Sequence, residues 1–193
     1  LSGGGAERVM SQIAEKLNNK KNKIFFLIFD SSNQVYLNKK RIKIIDLKKK
    51  KISSGVLNFI IAIKKIEPDI IISSISHLNL LIALIRFALP KRIKLIFRES
   101  NFISNTLDFQ KKALFMRIIY KLFYNNCDRC LVFSKKHEID LLKNTNINRN
   151  KIIQVPNPLD IGIIRNHAKK QIPKKYTKYF RKKNKNFIIV GSL

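Results

Sequence analysis

Arg98 and Glu99 stand side by side directly after the apolar run 93–97. A carboxylate at the end of a buried strand can accept a proton from an acceptor hydroxyl, or orient it. A guanidinium beside it can bind a phosphate, or simply pair with the glutamate. Both residues are therefore candidates for catalytic work. The chain opens Leu1-Ser2-Gly3-Gly4-Gly5-Ala6-Glu7-Arg8, with helical spacing straight after the glycines. Gly3, Gly4 and Gly5 let a backbone approach an anion closely, and the first turn of a helix points free N–H groups at it. Glu7 in that turn is a favourable partner for the helix dipole rather than a catalyst. His77 and Asn79 follow another apolar run, Asn101 follows Glu99 closely, and Asn157 sits between Pro156 and Pro158. His77, Asn79 and Asn101 are candidates for contacting substrate. Asn157 reads first as a rigid turn that shapes a connection, and second as a substrate contact.

Cys127 and Cys130 form a lone C-x-x-C. A structural zinc site needs two further ligands at suitable spacing, and none is evident. Two small buried apolar residues are the simpler reading. The sequence predicts no metal site.

The 193 residues carry a net charge of +28, with thirty lysines to ten arginines. Basic surfaces attract nucleic-acid phosphate or an anionic membrane face. Abundant Lys, Ile and Asn also fit an A/T-rich coding bias, and specific nucleic-acid readers favour Arg for its bidentate fork. No helix-turn-helix, finger or RNA-module motif accompanies the charge. No apolar run suffices to span a bilayer.

The elements that must hold these residues alternate. Helical spacing covers 7–18, 54–66, 78–88, 107–125 and 135–142, with Ser53 or Ser54 and Ser134 as caps. Short, continuously apolar runs at 24–29, 69–72, 93–97, 130–133 and 151–155 read as strands buried on both faces, and 41–47 as a weaker one. This pattern predicts an α/β fold, a doubly wound parallel sheet. Ligands of such sheets bind beyond the carboxyl ends of the strands, where the residues above fall. A glycine turn of this kind normally follows a strand, so the sheet is expected to lack its first strand. Residues 1–165 read as one domain, 166–185 as a basic linker, and 186–193 as the first strand of a second domain.

Six pieces in order resemble the N-terminal half of retaining GT-B glycosyltransferases of family 4. Gly3 to Arg8 is similar to the family's first glycine turn. Pro68-Asp69-Ile70-Ile71-Ile72-Ser73 resembles its "PDvvis" strand, with Asn79 opening the next helix. Arg98-Glu99-Ser100-Asn101 resembles an "R-x-s-n" turn. Cys127-Asp128-Arg129 leading to Val132-Phe133-Ser134 resembles "aD-x-vi-x-vS". Residues 151–160 are close to "kI-x-vipNpvD", and Val190-Gly191-Ser192-Leu193 looks like the "vGrL" that opens the second half.

The resemblance implies a Rossmann-like domain on the acceptor side of a two-domain enzyme. Such an enzyme transfers a sugar from a nucleotide-sugar donor to a glycan or lipid-linked acceptor in bacterial cell-surface polysaccharide synthesis. It retains anomeric configuration and needs no cofactor beyond the donor substrate. The family's basic pair and spaced glutamates for the donor belong to the second half, so this chain alone is expected not to turn over. The expected location is cytoplasmic, peripheral on the anionic inner face of the membrane. Lys48 to Lys51, Lys111 and Lys112 would each supply roughly 1 kcal/mol there. The apolar stripe Phe115, Ile118, Ile119, Leu122 and Phe123 is expected to pack on the sheet. The competing readings are a charge-driven nucleic-acid-binding α/β domain and a non-catalytic nucleotide-binding subunit.

Overall fold

A computed structural model describes residues 5–29, 42–49, 52–108, 113–171 and 177 of the chain. Gly3, Gly4, the lysine pairs 50–51 and 111–112, and the strand expected over 186–193 lie outside the described residues. The chain divides into two compact units, Leu1–Pro158 and Leu159–Leu193. The second contains one described helix, Ile161–Ala168.

The first unit alternates strand and helix as its sequence requires. Helix α1 spans Gly5–Leu17 and leads to β1, Phe25–Ile28. Strand β2 follows at Lys43–Asp46. Helix α2, Val56–Ile66, starts behind a tight turn at Ser53–Gly55 with no side-chain cap, so neither Ser53 nor Ser54 plays the expected part. The chain turns out of α2 at Glu67, whose left-handed backbone (φ 50°) ends the helix just before Pro68. Then come β3, Ile70–Ser73; α3, Ser76–Leu84; β4, Lys94–Arg98; α4, Ile103–Asp108; and α5, Ala113–Phe123. Strand β5 is Arg129–Val132, α6 is Lys135–Asn144 and β6 is Ile152–Gln154.

Every strand pairing is parallel. Strands β3, β4, β5 and β6 form one sheet in that order, and β1 pairs with β2 in another. Parallel strands need helical crossovers, and those helices bury the sheet. One continuous core results, from Phe59 and Ile63 of α2 through Leu95 and Phe97 of β4 to Tyr120, Tyr124 and Leu141. Cys127 and Cys130 belong to it as free thiols. Burial pushes the Cys127 thiol up to about 12 and Cys130 well above the usual range.

Two helices differ from the sequence pattern. Helix α4 begins at Ile103, because the Asp140 carboxylate of α6 accepts from the N–H groups of Ile103 and Ser104 (2.7 and 3.3 Å). A cap supplied from another helix leaves no local trace. In α5 the expected packed stripe splits. Met116, Ile119, Tyr120 and Phe123 face the core. Leu114, Phe115, Ile118 and Leu122 face outward, with Phe115 59% exposed. Arg117 and Lys121 are exposed beside them. No helix among the described residues is long and apolar enough to cross a membrane.

Candidate active site at the carboxyl edge of the sheet

Four parallel strands deliver their carboxyl ends to one edge. Ser73 of β3 aligns with Phe97 of β4, Phe97 with Cys130, and Arg98 with Leu131. Adjacent side chains on a strand point to opposite faces. This separates Arg98 from Glu99 although they are neighbours in sequence. No ion pair within 4 Å joins them among the described residues, and each has its own neutral partners.

Arg98 donates from Nη1 to Ser74 Oγ and from Nη2 to Asn157 Oδ1, both at 2.6 Å. Asn157 is thereby tied to β4 across the turn that follows β6. Arg98 as a residue is only 7% exposed, and burial lowers its pKa from the usual arginine value. These bonds use two of its five N–H donors. Arg98 and Glu99 both border a cleft of about 30 Å³, with Ile13 of α1, Phe133, Val155, Pro156 and Pro158 among the other walls. That volume holds a water molecule, not a sugar.

Glu99 is buried in the wall of the same cleft. Its carboxylate is 1% exposed; Oε2 accepts from Ser76 Oγ and Oε1 from Asn79 Nδ2, both at 2.5 Å. Burial raises its pKa to about 7, against the opposing pull of these two bonds and of Arg98. Asn79 is a hub. Its amide nitrogen is also 3.2 Å from Arg98 O and from the Tyr124 hydroxyl, and its oxygen accepts from Ser73 Oγ. It sits fully buried inside the first turn of α3, which opens at Ser76, rather than at the helix start. Glu99 and Asn79 thus stand in the wall of the site, where neither meets solvent.

The remaining candidates reach the surface. His77 is exposed on the same turn of α3, and the partial burial it has lowers its pKa. The Asn101 side chain is exposed, while its carbonyl accepts from His137 Nε2 (2.7 Å). His137 itself is buried between Phe102 and Phe133, with Nδ1 unpartnered. Burial lowers its pKa, which fits a neutral ring donating through Nε2. Ser100 Oγ donates to Ser74 O (3.0 Å), closing the loop after β4 onto the loop after β3. Ser134 caps α6 as expected, accepting from His137 N (3.3 Å). Gly5 opens α1, and a Cβ added there would meet nothing within 4 Å.

Arg98, Asn157, Glu99 and Asn79 are therefore brought into one bonded cluster, with Asn101 next to it in sequence. Sequence reasoning missed Ser74, Ser76 and Tyr124. The two serines fall in the segment after β3 where ligands were to be sought, so that rule alone could have named them. Tyr124 is 45 residues from Asn79 and gives no local signal.

No curated protein matches the chain in sequence. Among solved structures, the chain resembles the apo form of the lipopolysaccharide outer core galactosyltransferase WaaB, with a TM-score of 0.61 and 21% identity. The match covers 83% of this chain and 44% of that one, so the chain spans less than half the length of this relative. At that identity the likeness shows the fold, a domain of the GT-B type. The sequence profile of Glycosyltransferase Family 4 matches residues 3–162. With most of the chain covered, from the glycine turn to beyond the Pro156-Asn157-Pro158 turn, the chain belongs to Glycosyltransferase Family 4.

Proposed function

We propose that this chain is the acceptor-side domain of a retaining glycosyltransferase. The family match over residues 3–162 carries the reading. The donor is a nucleotide sugar, the group moved is a hexosyl unit, and the acceptor is a glycan or lipid-linked glycan of the bacterial cell surface. The named activity of WaaB, an outer core galactosyltransferase, supports that acceptor class. No metal or separate cofactor is required in this reading. The chain alone does not turn over.

Arg98 is the group best suited to meet substrate. It is a cation at the strand ends, held by neutral acceptors, with donors to spare for a phosphate or a sugar hydroxyl. Glu99 acts through its neighbours: with Asn79 and Ser76 it holds the first turn of α3 against the end of β4. That fixes where His77, Arg98 and Asn101 present themselves. Gly5, which opens α1, offers helix N-terminal amides to the donor diphosphate.

The enzyme works on the cytoplasmic side, at the anionic inner face of the membrane. The outward face of α5 supports this. Leu114, Phe115, Ile118 and Leu122 lie beside Arg117 and Lys121, the arrangement of a helix that lies in a lipid interface.

Saturation-transfer NMR on the purified chain, against acceptor oligosaccharides, nucleotide sugars and DNA or RNA, tests the reading. Acceptor glycans should give signals that Arg98→Ala weakens by about tenfold. Sugar transfer should not be detectable. Strong nucleic-acid binding with a steep salt slope and no glycan signal would replace the reading with a charge-driven binding domain. Turnover by this chain alone would refute its inactivity.

A further inference from the structure

The loop that leaves β4 runs through Glu99, Ser100 and Asn101 and enters α4 at Ile103. Helix α6 holds it with two side chains. His137 Nε2 lies 2.7 Å from Asn101 O. The Asp140 carboxylate accepts from Ile103 N and Ser104 N, at 2.7 and 3.3 Å. Residues three apart are neighbours on a helix surface. One face of α6 therefore gives the loop backbone both a donor and an acceptor. His137 is itself fixed, because its backbone N–H donates to the capping Ser134 Oγ (3.3 Å). The residue is fully buried. The rings of Phe133 and Phe102 pack against the imidazole, with centroids 4.3 and 5.0 Å away. The other ring nitrogen, Nδ1, is buried with no hydrogen-bond partner among the described residues. These contacts decide the state of the ring. A carbonyl oxygen only accepts, so Nε2 carries the proton. A second proton on Nδ1 would be a buried donor with nothing to meet, which is costly.

We propose that His137 is a positioning residue: as a neutral ring protonated at Nε2 it holds the Asn101 carbonyl, and with Asp140 it fixes how the loop after β4 presents Asn101 at the carboxyl edge of the sheet. The hold belongs to the neutral ring alone. In acid the ring takes its second proton outside the aromatic slot, and the loop is released. Burial is the largest influence on the ring and lowers its pKa from the ordinary 6.5. Two charged groups face it and oppose each other: Asp140 on α6 favours the charged ring, and Arg98 at the end of β4 disfavours it. Glu99, two residues from Asn101, is turned to Ser76 and Asn79 instead. A group whose pKa is lowered in the held state stabilises that state above its ordinary pKa, and the contribution fades as pH falls below it. The hold stands on the geometry of α6 and the loop. That the held loop meets an acceptor sugar rests on the glycosyl-transfer reading.

The test compares the chain with His137→Gln and His137→Leu. Amide protection at Ile103 and Ser104 reports the loop, and protection at 129–132 reports β5 for reference. From pH 7.5 to about 5.5 the parent should lose roughly tenfold in loop protection relative to β5. The Gln amide reaches about as far as Nε2 and does not titrate, so His137→Gln should keep its protection over that range. Leu fills the slot without a donor, so His137→Leu should be low at both ends. Glu99 cannot imitate the parent profile, because its titration weakens the fold as pH rises, not as it falls. Ring-nitrogen NMR of the parent at pH 7.5 should show Nε2 protonated and Nδ1 bare. That measurement needs no variant and decides the matter even where a variant does not fold. A parent profile parallel to that of His137→Gln, equal protection in the Gln and Leu variants, or a proton on Nδ1 with Nε2 bare overturns the proposal. None of these readouts uses a glycan. Absence of a glycan signal from the parent would remove the sugar reading and leave the hold as measured.

Discussion

Glu99 has a hydroxyl and an amide for partners, while its nearest cation faces another way. Its folded-state pKa, about 7, lies above the ordinary 4.5. The folded protein thus holds this proton more tightly than the unfolded chain does. The stability it contributes is complete below about pH 4.5 and is lost as pH rises through 7. Glu99→Gln keeps the shape and removes the titration. Urea unfolding of both proteins between pH 4.5 and 8.5 should show the variant gaining on the parent as pH rises, by up to about 3 kcal/mol. Parallel pH profiles would show that Glu99 is not buried as a carboxyl. The pair Arg98-Glu99 was legible in sequence because an apolar run precedes it. Its division of labour was not, since that depends on which face the last residue of β4 takes and on Ser74, Ser76 and Asn157, between 23 and 59 residues away from the member each one bonds.

Among elements, α5 shows where periodicity stops informing. Apolar residues on nearly every position of Leu114–Phe123 satisfy a helix without saying which stripe meets the core. The structure chooses Met116, Ile119, Tyr120 and Phe123. Replacing Phe115 and Leu122 with Ser should therefore change folding stability by less than about 0.5 kcal/mol per site. The same pair of changes should lower flotation with anionic vesicles, and vesicles of neutral lipid should bind poorly from the start. Loss of fold in the double variant, or unchanged flotation, would contradict the outward face or its use. Helix α4 teaches a related point. Its first N–H groups depend on Asp140, so Asp140→Ala should cost about 1 kcal/mol in chemical unfolding. Faster amide exchange at Ile103 and Ser104 would locate the loss there. Strand positions, in contrast, were readable to within a residue or two, because short apolar runs bounded by Pro, Asp or Lys leave few alternatives.

For the molecule as a whole, charge and thiols set the behaviour in solution. With +28 net charges on 193 residues, repulsion works against the compact state and salt relieves it. Raising sodium chloride from 10 to about 300 mM should raise the melting temperature while weakening vesicle binding. A melting point that falls over this range would mean that specific ion pairs outweigh the repulsion. The parallel α/β class and its family were legible in the residues the family profile matches, 3–162, since strand–helix alternation and ordered motifs survive at low identity. The split into two sheets, β1-β2 and β3-β4-β5-β6, was not, because strand pairing joins residues far apart in sequence. The two thiols have a use of their own. Cys127 and Cys130 are the chain's only cysteines, both are buried, and both are held as unreactive thiols. A disulfide reagent can reach them only when the core around β5 opens. The rate of their modification is thus a built-in clock for that opening, readable by mass spectrometry without a label, a ligand or an assay of activity.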